Sequence, residues 1–255
     1  MHAAATISDD AFDALWDELK ELDPSNDVLH EVSPEPLPGT VKIEHMFPMR
    51  SLDKGVSDDD IIHFVTQSTF GGNRYLGQPK LDGSALSLEY VAGNLHRAAT
   101  RGSGERGEDV TLNAKLVANV PLRLNVAVDC HVRGEVVMPL ATFEEKYREI
   151  SPNPRNLCSG ALRQKHGDGK ADASDLIFQA YDVKFPKESP DIQNDSELLS
   201  WLQDAGIEPA PWTIFDSEEP PKEMIEFTQE WGLSLIHIGR CQRTTRCKTR
   251  REGDH

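Results

Sequence analysis

The chain holds 255 residues, 38% of them hydrophobic and 27% charged, with 18 glycines. That length and mix suit a folded protein of one large or two small domains and exclude a disordered polyelectrolyte. Its 43 acidic against 27 basic residues give a formal charge of −16, which excludes an autonomous nucleic-acid or anionic-membrane binder; any DNA contact must be local or come from another segment.

Behind Ser8, Asp9 and Asp10 the apolar residues Phe12, Leu15, Trp16, Leu19 and Leu22 recur at helical spacing. This predicts a serine-capped helix with its acidic residues at the positive end of the dipole. Pro34, Pro36 and Pro38 then forbid a helix, and the stretch 33–39 reads as a linker at a subdomain boundary. A second acidic helix follows Ser57, with Ile61, Ile62, Phe64 and Val65 as its apolar positions.

From about residue 76 the period changes to two. Leu86, Leu88 and Tyr90 alternate with Ser87 and Glu89, Gly93-Asn94 signals a turn, and Leu95, Arg97 and Ala99 resume the alternation, which predicts a β-hairpin. Further strands are expected over 130–138, 176–183 and 212–215, and helices over 140–150, 157–165, 196–205 and 221–231. Helices intermixed with antiparallel strands, without βαβ regularity or an internal repeat, indicate an α+β fold.

The last 23 residues differ in composition, with six basic residues against two acidic and no periodicity after Ile238. They read either as a basic disordered tail or as a foreign end of the kind a frameshift or adapter readthrough leaves, and the run Leu235 to Cys241 favours the second. Cys241 and Cys247 near His237 lack the second pair that a zinc site needs, so no metal ligands are assigned. The four cysteines are too scattered for a disulfide framework. With no membrane-length apolar run and no signal peptide at Met1 to Ala5, a cytoplasmic protein without membrane attachment is expected.

Lys80-Leu81-Asp82-Gly83 stands at the entrance to the hairpin, where a solvated lysine in a surface turn is the plain reading. Three further segments change it. Thr100 to Thr111 is a glycine-dense loop holding Arg101, the kind of backbone that closes over phosphate and ribose. Val132-Arg133-Gly134-Glu135-Val136 puts charges inside a strand, and Asn153-Pro154-Arg155-Asn156 leads into a helix carrying Arg163. A lysine, three arginines and two carboxylates on short strands and loops look like a phosphate site.

In order and spacing, Pro48 to Asp53, Lys80 to Gly83, the Thr100 to Thr111 loop, Arg133 to Val136, Asn153 to Asn156 and Tyr181-Asp182-Val183 resemble the adenylation segment of NAD-dependent DNA ligases. The resemblance runs from about Ile7 to Val183. It implies a nucleotidyltransferase fold of antiparallel sheets flanked by helices, with a small N-terminal helical subdomain. The expected division is 1–38 for part of that nicotinamide-nucleotide-binding subdomain, 39–232 for the nucleotidyltransferase domain, and 233–255 for a tail foreign to the family. NAD is the implied adenylate donor, magnesium or manganese the implied ion, and nicked double-stranded DNA the implied substrate of the full-length enzyme, acting as a monomer.

On this resemblance Lys80 is the nucleophile that attacks the NAD α-phosphorus, releases nicotinamide mononucleotide and becomes Lys80-AMP. Burial beside Arg101 is expected to lower its pKa. Arg155 and Arg163 offset phosphate charge. Glu135 and Arg101 contact the ribose, and Asp82 either orients Lys80 or merely opens an Asp-Gly turn. Ser51 and Leu52 offer backbone to the adenine, and Tyr181 stacks on it. Gln78 stands where a glutamate usually accepts the adenine amino group, which predicts weaker binding. His2, Asp9, Phe12 and Asp13 match the nicotinamide-binding signature, with Phe12 replacing a tyrosine and a short His2 to Asp9 spacing.

The family's Asp-Gly-x-Val-x-Lys strand, Lys-x-Lys-Phe segment and zinc module do not occur in the sequence, so truncation at both ends is expected. Two other readings remain: an ATP- or GTP-dependent nucleotidyltransferase of the RNA ligase or capping type, and a non-catalytic NAD-binding fragment.

Overall fold

The computed structural model describes residues 41–49, 57–66, 74–164, 169–187, 189–216, 219–230 and 236–240, with isolated positions between 15 and 26. In chain order, β1 (Lys42–Glu44) is followed by α1 (Asp58–Thr66), β2 (Tyr75–Pro79), β3 (Ser84–Val91), β4 (Asn94–Thr100), β5 (Arg106–Glu108) and α2 (Thr111–Ala114). Then come β6 (Cys130–Val137), α3 (Leu140–Thr142), α4 (Pro154–Arg163), β7 (Ile177–Lys184), α5 (Asp195–Asp204), β8 (Thr213–Phe215), α6 (Pro220–Glu230) and β9 (Ile236–Arg240). The result is the expected α+β arrangement of antiparallel sheets and helices. Among the described residues no helix is long and apolar enough to cross a membrane.

The strands form three sheets, ordered β4-β3-β6-β7, β8-β2-β9 and β1-β5. Alternation along the four-stranded sheet separates two faces. On one, Leu86, Leu88, Val132, Val136 and Phe178 are fully buried and join Leu157, Leu162, Leu198 and Leu202 of the covering helices in the main core. Each such side chain contributes about 1.5–3 kcal/mol through burial. The other face carries Ser87, Glu89, Arg97, His131, Arg133 and Glu135, aligned by the pairings Ser87–Arg133, Glu89–His131 and Glu89–Arg97. That polar face is where the site forms.

A smaller core unites Ile61 of α1 with Tyr75, Phe215, Met224 and Phe227. Ser57 caps α1 reciprocally: its backbone N–H and hydroxyl donate to Asp60 Oδ2 at 2.9 and 2.8 Å, and the Asp60 N–H donates to Ser57 Oγ at 3.3 Å. The expected helix is therefore present, although Ile62 stays 42% exposed.

Four details differ from the sequence expectation. The hairpin turns at Ala92 and Gly93, both with positive φ, and Asn94 already belongs to β4; two left-handed residues give the turn whose twist matches the strands. A Cβ at Gly93 would meet Val126 O at 2.3 Å, so Gly93 is also needed for close approach. The helix expected over 140–150 is interrupted by a wider π-helical turn, Phe143–Tyr147, in which adjacent Lys146 and Tyr147 both bond Asp175. Finally, α4 starts earlier than expected, because Asn153 Oδ1 accepts the Arg155 N–H at 2.8 Å and Pro154 occupies the first turn. Within the stretch set apart as a tail, residues 236–240 pair antiparallel with β2, as an exposed sheet edge invites.

Candidate active site

Pro79 ends β2, and its missing N–H leaves the ladder with nothing to donate as the chain emerges at Lys80. Lys80 is therefore exposed, where the sequence reading expected it to be buried. Two residues earlier Gln78 is buried, 7% exposed, and its Nε2 finds no hydrogen-bond partner among the described residues. Strand alternation puts Leu76, Gln78 and Lys80 on one side. Leu76 joins the main core, whereas Tyr75 joins the smaller one, and a Cβ on Gly77 would strike Phe215.

Gly83 permits the next step of the assembly. A Cβ there would lie 2.0 Å from Val136 O, so only glycine lets the chain after Asp82 run this close to β6. The same approach lets the Gly83 N–H donate to the Glu135 carboxylate. Burial pushes the Glu135 carboxyl up to about 7, against the opposing pull of Lys80, Arg155 and that N–H. A carboxyl poised near neutrality beside cations makes Glu135 a candidate functional residue.

Both arginines of α4 are held by carboxylates. Arg155, in the first turn, meets Asp82 at 3.2 Å, so the ion-pair partner of Asp82 is Arg155. Arg163, two turns on, places Nε 2.8 Å from Glu108 Oε2, and the Glu108 side chain is only 4% exposed. Arg155, Ser159 and Arg163 form one ridge, opposite Leu157, Cys158, Ala161 and Leu162, which are buried. Glu108 lies inside the glycine-rich loop motif but was not singled out from sequence; an acidic residue preceding Asp109 gives no sign of the arginine it meets 55 positions later.

Loss of that partner is expected to be costly. Arg163→Ala should destabilise the chain by about 1–2 kcal/mol, discounted for the half-exposed guanidinium, because the buried Glu108 carboxylate loses a counterion. Adding Glu108→Gln should restore most of it. Urea unfolding of the three proteins reads the difference, and an Arg163→Ala midpoint equal to wild type would contradict this account.

Tyr181 sits at a bulge: Arg133 pairs with Asp182 and Gly134 with Ala180, so the register shifts at Tyr181. Bulges re-aim side chains. Here the ring is half-buried among Glu135, Asp182, Arg133 and Arg101, and burial raises the phenol pKa. Arg133 itself is structural, donating to Phe47 O at 2.6 Å and lying 3.5 Å from Asp182.

The glycine-rich loop is braced by β1 and the residues after it. Met49 N–H donates to Gly104 O at 2.7 Å and His45 N–H to Glu105 O at 2.8 Å. His45 Nε2 lies 3.0 and 3.2 Å from the Thr100 and Arg101 carbonyls, which places the ring N–H on Nε2, while burial lowers the ring pKa and favours the neutral form. The sequence reading overlooked His45, whose contacts lie 55 residues away. Thus Lys80, Asp82, Glu135, Arg155 and Tyr181 share one neighbourhood, with Gln78 at its edge, Arg101 beside Tyr181, and Arg163 held at the loop. His2, Asp9, Phe12, Asp13, Ser51 and Leu52 lie outside the described residues. Among the described residues no three His, Cys, Asp or Glu side chains gather as a metal site.

One family model, described as the NAD-dependent DNA ligase adenylation domain, matches residues 39–234. The DNA ligase of Natranaerobius thermophilus is 35% identical over 247 residues, covering 89% of this chain and 36% of that protein. The DNA ligase of Natronomonas pharaonis is 40% identical over 187 residues, 64% of this chain and 27% of its own length. A solved archaeal ATP-dependent RNA ligase aligns with a TM-score of 0.48 at 12% identity, over 89% of this chain and 61% of that one. The chain spans about a third of the length of the curated relatives it matches.

Proposed function

Since the chain belongs to the NAD-dependent DNA ligase adenylation domain family, we propose that it takes an adenylate from NAD onto Lys80, for later delivery to the 5′-phosphate of nicked DNA by the whole protein. The observation that carries this reading is the gathering, around one exposed lysine at a strand end, of a half-buried, near-neutral carboxyl and a carboxylate-held arginine. An amine flanked this way suits in-line attack on a phosphate.

In the proposed step the ammonium of the exposed Lys80 first passes a proton to solvent water. Its Nζ lone pair then forms a bond to the α-phosphorus, and the bond from that phosphorus to the bridging oxygen breaks. Nicotinamide mononucleotide departs with the electron pair. Because Lys80 is exposed, the dehydration that favours its neutral form comes from the dinucleotide covering it. Arg155 and Arg163, already ordered by Asp82 and Glu108, offset phosphate charge without reorganising. Glu135 and Arg101 face the ribose, and Tyr181 offers its ring to the purine.

The purine edge falls to Gln78, whose buried Nε2 has no hydrogen-bond partner among the described residues and so calls for a polar ligand, with Ser51 and Leu52 contributing backbone. The nicotinamide end falls to His2, Asp9, Phe12 and Asp13 of a helical piece within 1–38, by the family resemblance. Magnesium, with manganese as substitute, would arrive with the dinucleotide and neutralise phosphate charge; no protein ligand is assigned to it. Residues 233–255 take no part in this chemistry. Monomeric action in the cytoplasm completes the reading, supported by the free thiols Cys130 and Cys158.

The test is donor choice. Incubated separately with NAD, ATP and GTP plus magnesium, the chain should gain covalent AMP, about 329 Da on a lysine nucleophile, from NAD alone. An adduct formed from ATP or GTP and not from NAD would move it to the RNA ligase or capping type. Binding of NAD with no adduct would leave a non-catalytic fragment.

A further inference from the structure

We propose that Gln78 makes the base pocket tolerant of 6-oxopurines, so that nicotinamide hypoxanthine dinucleotide is accepted alongside NAD. The inference rests on the reading above, in which the purine seats against this side chain. Gln78 is more than nine-tenths buried and its Nε2 is unpartnered among the described residues. A buried amide donor in that state calls for an acceptor from the ligand.

The chemistry of the two bases decides what can supply it. Adenine presents an amino donor at position 6 flanked by ring-nitrogen acceptors, so an amide meets it with Oε1 towards the amino group and Nε2 towards a ring nitrogen. Hypoxanthine presents a carbonyl at position 6 beside an N–H, the reverse pattern. Turning the amide over meets that pattern equally well, since Gln carries both an acceptor and two donors on one planar group. A carboxylate has acceptors only: it suits the adenine amino group and repels the 6-carbonyl. Gln78 therefore exchanges selectivity for tolerance. The covalent step is unchanged, because the base takes no part in bond making: Lys80 Nζ attacks the α-phosphorus and nicotinamide mononucleotide leaves with the electron pair.

Calorimetric titration of the whole chain with each dinucleotide tests this, comparing wild type, Gln78→Glu and Gln78→Met. Wild type should bind the two within about fivefold of each other, and Gln78→Glu should prefer NAD by roughly thirtyfold or more, the range expected when a buried polar group meets an unmatched one. Gln78→Met, similar in shape and without strong hydrogen-bonding atoms, should weaken both about equally, a readout that survives if the glutamate variant does not fold. A wild type that prefers NAD by thirtyfold overturns the inference. NAD binding that neither substitution alters also overturns it while leaving the NAD reading intact. Failure of every protein to bind NAD overturns both.

Discussion

Alanine at position 80 is expected to abolish covalent AMP capture, lowering the rate by at least about 10⁴, because no other group in the site carries a lone pair at the nucleophile's place. Arginine should be equally inactive, since a guanidinium does not surrender its proton at neutral pH. The exposure of Lys80 makes the experiment clean. Neither substitution touches the core, so unfolding free energies should stay within about 0.5 kcal/mol of wild type, and NAD should still bind within a few-fold. Intact-mass measurement beside calorimetry reads both. Adduct surviving in Lys80→Ala would place the nucleophile elsewhere.

Glu135→Gln is expected to produce opposite effects on stability and chemistry. Burial raises the folded-state pKa of Glu135 from its ordinary 4.5 to about 7, so the native chain holds that proton more tightly than the unfolded one. The associated stability is fully present below pH 4.5 and is lost as pH rises through 7. At pH 8 the ionised carboxylate costs the wild type up to about 3 kcal/mol relative to a neutral side chain. Glutamine escapes that cost, so its melting temperature should exceed wild type by several degrees at pH 8, on the order of 2–4 °C per kcal/mol, with the gap closing by pH 4.5. The same substitution should slow adduct formation by about 10²-fold, since the charge serves the bound state. Equal melting profiles for the two proteins across this pH range would show that Glu135 is not held in an unfavourable setting.

What could be read from sequence was whatever sequence encodes locally. The alternation through Leu86, Leu88 and Tyr90 specifies β3, the charged Arg133 and Glu135 within β6 reveal a polar sheet face, and Ser57 with Asp60 announces α1. The motifs around Lys80, Glu135 and Arg155 converge because they lie on or beside adjoining strands and the helix packed against them. Contacts fixed by tertiary pairing were not legible. Nothing near Glu108 signals Arg163, nothing near His45 signals the Thr100 carbonyl, and the bulge at Tyr181 depends on the register of β7 against β6. The exposure of Lys80 is not legible in its motif, because Pro79 decides where the strand releases it. The turn at Ala92 was displaced by one residue because Gly93 and Asn94 both tolerate positive φ, and Asn94 was drawn into β4 by the ladder.

Stability and chemistry meet at the same few residues. A carboxyl kept near neutrality, an amide donor left unpaired and arginines pinned by carboxylates are each unfavourable or unnecessary in a merely structural sheet face. On the proposed reading they belong to a surface that receives a ligand with its own charges and hydrogen-bonding groups.

The most direct measurement is peptide mapping of the wild-type chain after incubation with NAD and magnesium. The account predicts a single modified peptide, heavier by about 329 Da for one AMP on a lysine nucleophile, with fragment ions assigning the mass to Lys80. An AMP-bearing peptide lacking Lys80, or an unmodified chain under conditions in which NAD binds, would contradict it.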